Sequence, residues 1–436
     1  MLKKTGSWTR RQFAGGVAAV GAGAAAPMAA PALLLGQNQS TPKAPSERIV
    51  MGAIGIGGRG TEDLKWVLGD PRVQMVANCD IREDRRESIK SMIDAAQGNK
   101  DCRMYSDAQE LLARPEIEAV LIATSDRWHS LMSIWAAEAG KDIYCEKPLS
   151  LTIAESYALA ETVRRYGRVY QAGCQRRNVP NFELAVGLAR SGKLGRLQTV
   201  HANTLAPLSR LGHSWWAAEP EPDPRVFNWD KWLGPCPWRP YNSRYANGGR
   251  GLFWDFHGGG ILEWGSHTVD LCQWAAGADG TQAVEYEPQG TSVHARYANG
   301  VKLVMRVDGW MGLGTCHVRF EGSEGWVETA DSGKIELSEN LRSEHREITM
   351  RGTDPSRHIL EFLNCIRSRT LPRAGAASSC NAHVTCHAAY IAWQLGRKLT
   401  WDPAARSFVN DEQANRMRSR AYREPWRHEA IATALG

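Results

Sequence analysis

Zinc-binding spacing is missing from this chain. None of its ten cysteines forms a C-x-x-C pair, so no structural metal is expected. Cys79 and Cys145 end apolar runs and read as small buried thiols. Cys380 and Cys386 are near enough in sequence to pair, yet mostly free thiols are expected. After the first 46 residues no apolar run is long enough to cross a bilayer, so no stable membrane span is expected. A nucleic-acid-binding motif and a broad basic surface are also lacking. The net charge of +6 comes partly from the two ends of the sequence. Arg416, Arg418, Arg420, Arg423 and Arg427 read as a solvated helix face. There is no internal repeat.

What is present begins with an export signal. Thr9-Arg10-Arg11-Gln12-Phe13 precedes a weakly hydrophobic Ala/Gly run, Ala14 to Ala26, and small residues follow at Ala29, Ala30 and Ala32. This is the pattern of a twin-arginine signal. A polar linker with Pro42 and Pro45 follows. The expected location is periplasmic or extracellular. Twin-arginine export moves folded proteins, which suits an enzyme that loads a nucleotide before it leaves the cytoplasm.

From Arg48 to Ala172 short β-rich runs alternate with amphipathic segments. The runs are Ile49 to Ala53, Val73 to Asn78, Ala119 to Ala123, Asp142 to Cys145 and Val169 to Ala172. Alternation of this kind predicts a doubly wound parallel sheet, a Rossmann domain over residues 47–172. Thr152 and Glu155 form a capping box for one of its helices. Beyond Ala172 the texture changes. A helix at Phe182 to Ser191 leads to strands at Leu197 to Asn203, Ser292 to Tyr297, Val301 to Val307, Cys316 to Phe320, Trp326 to Thr329 and Lys334 to Leu337. Asn299-Gly300 reads as a hairpin turn. The expected fold is α/β, with a second α+β domain at 173–395 built on a largely antiparallel open sheet, and a tail at 396–436.

The first chemical signal is Gly55-Ile56-Gly57-Gly58-Arg59-Gly60, directly after a strand. A G-x-G-x-x-G turn opening a helix lets backbone N–H groups and the helix terminus hold a pyrophosphate. Asp80 lies 20 residues past Gly60, where a carboxylate accepts the ribose hydroxyls of NAD; its bland alternative is a helix cap. Arg82, or Arg59 in the turn itself, is placed to take the 2′-phosphate of NADP instead. The cofactor is therefore NAD or NADP. Ser125, Trp128 and His129 follow a strand at the same sheet edge and are expected to line the nicotinamide ribose. Glu146 and Gln175 are grouped with these cofactor residues.

Lys147, between Glu146 and Pro148, supplies a cation at that edge, able to polarise a substrate oxygen. A second constellation follows Gly258-Gly259-Gly260. Glu263, His267, Asp270 and Trp274 recur at spacings of four, three and four, and are expected on one helical face. There Glu263 would orient His267, and His267 would take an alcohol proton. Asp270 and Trp254 are expected at the substrate. Eight of the 17 tryptophans fall between Trp215 and Trp274, which reads as a carbohydrate-sized aromatic cleft or as packing under a long loop.

With the glycine turn, Glu146-Lys147-Pro148 and the Glu263/His267 helix, the chain resembles the Gfo/Idh/MocA oxidoreductases, the glucose–fructose oxidoreductase and inositol dehydrogenase family. Asn228-Trp229-Asp230-Lys231-Trp232-Leu233-Gly234-Pro235 is similar to its exported branch, as are Leu395 to Pro403 and Ala421 to Trp426. The resemblance implies that Lys147 is the catalytic lysine and His267 the proton-transferring histidine, with Glu263 where many members carry Asp. It also implies a homodimer or homotetramer built through the open sheet. The expected activity is NAD(P)-dependent hydride transfer with a sugar, polyol or glycoside hydroxyl. A related exported group cleaves glycosides by transient oxidation and elimination; this chain differs from it in carrying Lys147 after Glu146. A nucleotide-bound sensor without turnover is the third reading.

Overall fold

A computed structural model describes residues 47–205, 216–248, 251, 253–307, 310, 312–342 and 356–435. The expected export signal, its linker and Trp215 lie outside the described residues.

β1 (Ile49–Ile54) is apolar along its whole length, as a strand covered on both faces must be. It pairs in parallel with β2 (Val73–Cys79) and with β4 (Ala119–Ile122). β3 (Arg103–Tyr105), β5 (Asp142–Cys145) and β6 (Tyr170–Ala172) complete a six-stranded parallel sheet in the order β3-β2-β1-β4-β5-β6. The order reverses between β1 and β4, and such switch points open the ligand crevice of doubly wound sheets. The capping box forms in part. Thr152 accepts the Glu155 N–H at 3.1 Å, but the Glu155 carboxylate turns to the Leu151 N–H at 2.5 Å.

The second sheet has nine strands, in the order β13-β12-β11-β7-β10-β9-β8-β14-β15. Its strands are β7 (Leu197–Asn203), β8 (Ala283–Gln289), β9 (Ser292–Tyr297), β10 (Lys302–Arg306), β11 (Val318–Gly322), β12 (Trp326–Thr329), β13 (Ile335–Leu337), β14 (Leu399–Asp402) and β15 (Ser407–Phe408). Only β7 and β10 pair in parallel among the described strands. The Asn299-Gly300 turn joins β9 to β10, with Gly300 at φ +90°.

Residues 396–436 are not a tail. β14 and β15 extend the second sheet through the β8 edge, because Leu399, Trp401 and Phe408 bury their side chains there. The C-terminal arginines do not form a solvated helix face either. Arg420 lies against Trp254, its guanidinium 3.7 Å from the ring centroid, and donates to the Trp254 carbonyl at 2.7 Å. Arg423 binds Asp230 at 2.6 Å and the Gly234 carbonyl at 3.0 Å. The helix Ser356–Ser368 crosses the expected boundary in the other direction. Ile359, Phe362, Leu363 and Ile366 pack into the core beneath β1 and the helix Gly58–Leu68.

All ten cysteines are buried and free, Cys380 and Cys386 included. No described helix is long and apolar enough to cross a membrane.

Candidate functional site

The glycine turn is built around two close approaches. Gly55 has φ +69°, and a Cβ there would stand 2.3 Å from Thr124; a Cβ on Gly60 would stand 2.6 Å from Ala123. Side chains at either place would push β1 and its helix off β4. Gly57 and Gly58 differ, since nothing lies within 4 Å of an added Cβ. They face an open cleft of about 400 Å3 at the switch point, a size common among small-molecule sites. The helix Gly58–Leu68 starts there with no side-chain cap, so its first N–H groups are left for a ligand.

Asp80 lines this cleft just past β2. Its Oδ1 accepts the Arg82 N–H at 2.9 Å, so the capping role is real. The second oxygen keeps the cleft side of the carboxyl polar, and burial pushes the group up to about 6. Arg82 is already committed. It holds Asp84 through Nε at 3.0 Å and Nη2 at 2.7 Å. Arg59 turns away from the glycine backbone toward Asp63 at 2.9 Å and Glu146 at 3.7 Å. Burial, and then the charge of Glu146, raise Asp63 to about 9.

Ser125 caps the helix Asp126–Glu138 without using its hydroxyl, and the neighbouring Thr124 Oγ1 is buried with no partner. Both line the cleft. An uncapped helix start, open glycines, a half-used carboxylate and spare hydroxyls together fit a dinucleotide. Trp128 borders the cleft and meets Trp426 edge-on, with centroids 5.1 Å apart. His129 serves differently from expectation. Its ring nitrogens face the carbonyls of Pro148 at 2.7 Å and Thr124 at 3.1 Å, so it ties the β4 and β5 loops together rather than presenting a free nitrogen. Gln175 stands behind Glu146, donating to it at 2.6 Å and to the Tyr144 hydroxyl at 3.1 Å.

The reactive end is a network. Lys147 Nζ bonds Glu263 Oε1 at 2.6 Å and the Glu263 carbonyl at 3.2 Å. These side chains come from the two domains and meet in the cleft wall. Burial alone would lower Lys147, but Glu263 outweighs it and keeps the ammonium. Glu263 is held ionised, first by a hydrogen bond from His257 and then by Lys147.

The expected single helix is broken. A one-turn helix, Gly259–Glu263, stops at Trp264, and Gly265–Ala275 begins anew. The break is tightened by the His267 N–H, which reaches the Trp264 carbonyl at 2.9 Å. Glu263 and His267 consequently serve different neighbours, and Glu263 does not orient the ring. His267 Nε2 instead faces Arg176 Nη1 at 2.9 Å, and Arg176 is clamped by Asp331 at 3.1 and 2.8 Å. Because arginine only donates, the imidazole is neutral with its proton on Nδ1. Burial, then Arg176 and Lys147, hold His267 well below the usual histidine range.

Two substrate assignments fall. Asp270 is buried and wholly engaged by Arg177, at 2.7 and 2.8 Å; it is a packing ion pair behind the helix. Trp254 stacks on Tyr390 at 4.3 Å under Arg420. The aromatic cluster is mostly packing too. Trp229, Trp232, Tyr245, Phe253 and Phe256 form their own small core, and of the described tryptophans in that stretch only Trp232 lines the cleft. This segment lies over the nucleotide end, where Lys231 binds Asp107 at 2.8 Å. His257, Arg176, Lys231 and Trp426 escaped sequence reading. Lys231 and Trp426 stood in family-like segments that gave them no role at the site, and Arg176 and His257 stood in no motif.

Residues 49–174 match the description "Oxidoreductase family, NAD-binding Rossmann fold". Residues 210–428 match "Oxidoreductase family, C-terminal alpha/beta domain". Among curated proteins, the chain is similar to an uncharacterized oxidoreductase of Bacillus subtilis, 33% identical over 150 residues, 34% of this chain and 42% of that one. It is similar to myo-inositol 2-dehydrogenase of Thermotoga maritima, 31% identical over 160 residues, 36% of this chain and 45% of the relative. The chain thus spans less than half the length of these two relatives. Among solved structures, an aldose–aldose oxidoreductase from Caulobacter crescentus, complexed with glycerol, superposes with TM-score 0.57 at 16% identity. That match covers 81% of this chain and 99% of the other. The WlbA dehydrogenase of Bordetella pertussis, in complex with NADH and UDP-GlcNAcA, gives TM-score 0.58 at 17% identity, over 81% and 99% of the two chains. Both domain matches, together with the doubly wound sheet and its open glycine turn, place this chain in the Gfo/Idh/MocA oxidoreductase family.

Proposed function

We propose that this protein is a dehydrogenase that moves hydride between a sugar or polyol hydroxyl and a nicotinamide nucleotide. The observation that carries the reading is the meeting of Lys147, from the nucleotide domain, with Glu263, from the second domain, in one wall of the glycine-turn cleft. A bound nicotinamide nucleotide supplies the hydride acceptor. Lys147, kept as an ammonium, polarises the substrate oxygen and steadies the developing negative charge. His267 is neutral at physiological pH and takes the hydroxyl proton at Nε2 once Arg176 yields that lone pair. Arg176, released toward the same oxygen, adds a second positive charge. The names of the inositol and aldose enzymes above support a polyhydroxylated substrate.

Asp80, with Arg82 tied to Asp84, favours NAD over NADP. The export signal, the segment lying over the nucleotide end and the scarcity of free cofactor outside the cytoplasm support a nucleotide that stays bound and is recycled by a carbonyl-bearing second substrate. The open second sheet supports assembly into a dimer or tetramer.

Native mass spectrometry of the exported protein tests retention and identifies the nucleotide. A panel of sugars and polyols, read by nicotinamide fluorescence, then tests turnover. Protein isolated empty and indifferent to nucleotide would overturn the reading.

A further inference from the structure

We propose that His257 is a positioning residue of the reactive centre, gripping Lys147 through Glu263, and that protonation of its ring tightens that grip. The kinetic part of this inference rests on the dehydrogenase reading above; the structural part does not.

The geometry fixes the ring's tautomer. His257 Nδ1 accepts the Gly259 N–H at 3.0 Å. A neutral imidazole with an accepting Nδ1 carries its proton on Nε2. That Nε2 lies 3.2 Å from Glu263 Oε2 and 3.6 Å from Asp126 Oδ2. Glu263 is therefore held from both sides, by His257 on Oε2 and by Lys147 on Oε1. Without His257 the carboxylate is free to rotate about its last torsion, and the ammonium loses its fixed anchor. Asp126 is buried, and its Oδ2 has no hydrogen bond. It is placed to receive the Nε2 proton when Glu263 swings toward a substrate.

The ring is also a switch. The charged groups that face it are Glu263, Asp126 and Lys147. Burial works against the imidazolium, but the two carboxylates outweigh burial and Lys147, and raise the group above the usual histidine value. The added proton must go to Nδ1, directly against the Gly259 N–H. Protonation therefore exchanges that hydrogen bond for a charge-assisted one from Nε2 to Glu263. Gly258, Gly259 and Gly260 can absorb the exchange, since Gly259 already sits at φ +75°. Glu263 ends the single helical turn they open. Because the two carboxylates favour the charged ring, the grip is tightest below the His257 pKa and slackens as pH rises through it.

Nitrogen-15 NMR of the full chain with labelled histidine, without nucleotide, is the first test. The His257 signals are assigned by their loss in His257→Gln. The expected result is an Nε2–H tautomer above neutrality and a pKa that falls by about 1 unit or more in Glu263→Gln. An Nδ1–H tautomer, or a pKa untouched by Glu263→Gln, overturns the proposal. The second test is the pH profile of hydride transfer with the best substrate of the panel. His257→Ala should lower kcat on the order of 100-fold with unchanged nucleotide affinity. His257→Gln, which restores a donor to Glu263 and does not titrate, should recover most of that loss and lack the basic limb that the slackening grip gives the wild type. A limb that survives in His257→Gln overturns the switch. If the wild-type protein transfers no hydride to any sugar, the dehydrogenase reading fails, and the NMR result still decides the role of His257.

Discussion

The two ends of the cleft are built on opposite plans. At the glycine turn the polar groups are left over: Asp80 uses one oxygen on Arg82, Ser125 uses none of its hydroxyl, and Gly57 and Gly58 front open space. At the other end nearly every polar atom is spoken for. Lys147 holds Glu263, Glu263 holds His257, and His267 faces an arginine clamped by Asp331. A nucleotide finds its partners waiting, whereas a substrate must displace internal ones. The first end is organised for affinity. The second spends binding energy on rearrangement, as a centre that favours a transition state over a ground state does.

Breaking the second end should leave the first intact. In Lys147→Met, the hydride-transfer rate should drop roughly 10²- to 10⁴-fold while nucleotide affinity stays within a few-fold; stopped-flow fluorescence and calorimetry measure the two. A matched loss of affinity would mean the ends are not separate. Asp270→Ala probes stability behind the site. It strands the buried Arg177 guanidinium, with the half-exposed Asp279 and the Arg373 carbonyl left to it, and should cost about 3–5 kcal/mol. Chemical denaturation reads that loss, and the nucleotide affinity of the folded fraction should not change. Gly60→Val attacks the first end. Its side chain meets Ala123, so purified protein should lack nucleotide absorbance and unfold with about 1–3 kcal/mol less stability. The gentlest probe is pH. Asp80, raised to about 6, accepts ribose hydroxyls only when ionised, so NAD affinity should weaken by roughly tenfold between about pH 7 and pH 5. Asp80→Asn should flatten that slope, and a slope that persists would reassign it to another group.

The nucleotide end was also the legible end. Gly55 and Gly60 advertise a turn within six residues, and β1, β4 and, past Asp142, β5 carry unbroken apolar runs because both faces are covered. Lys147 was found because it follows such a strand directly. The reactive end was legible in its parts and misread in its arrangement. Spacing put Glu263 and His267 on one face, yet spacing cannot report that the helix is interrupted at Trp264 between them. Arg176 and His257 looked like ordinary loop residues, since their partners lie 91 residues away in one case and across a turn in the other. The tryptophans misled for a related reason. Aromatic rings that pack against each other and rings that await a sugar have the same composition. The closing strands β14 and β15 were missed because four and two residues are too few for any alternation to stand out.

Trp426, leaning on Trp128 at the cleft border, has a consequence for biosynthesis. The ribosome makes the glycine turn early and this wall very late. A nascent chain can fold its first sheet, but it cannot finish the chamber in which the nucleotide sits. Completion of the chamber is therefore a post-translational event, and a chain cut short before Arg423 would lose both the wall and the tether to Asp230 that steadies the overlying segment.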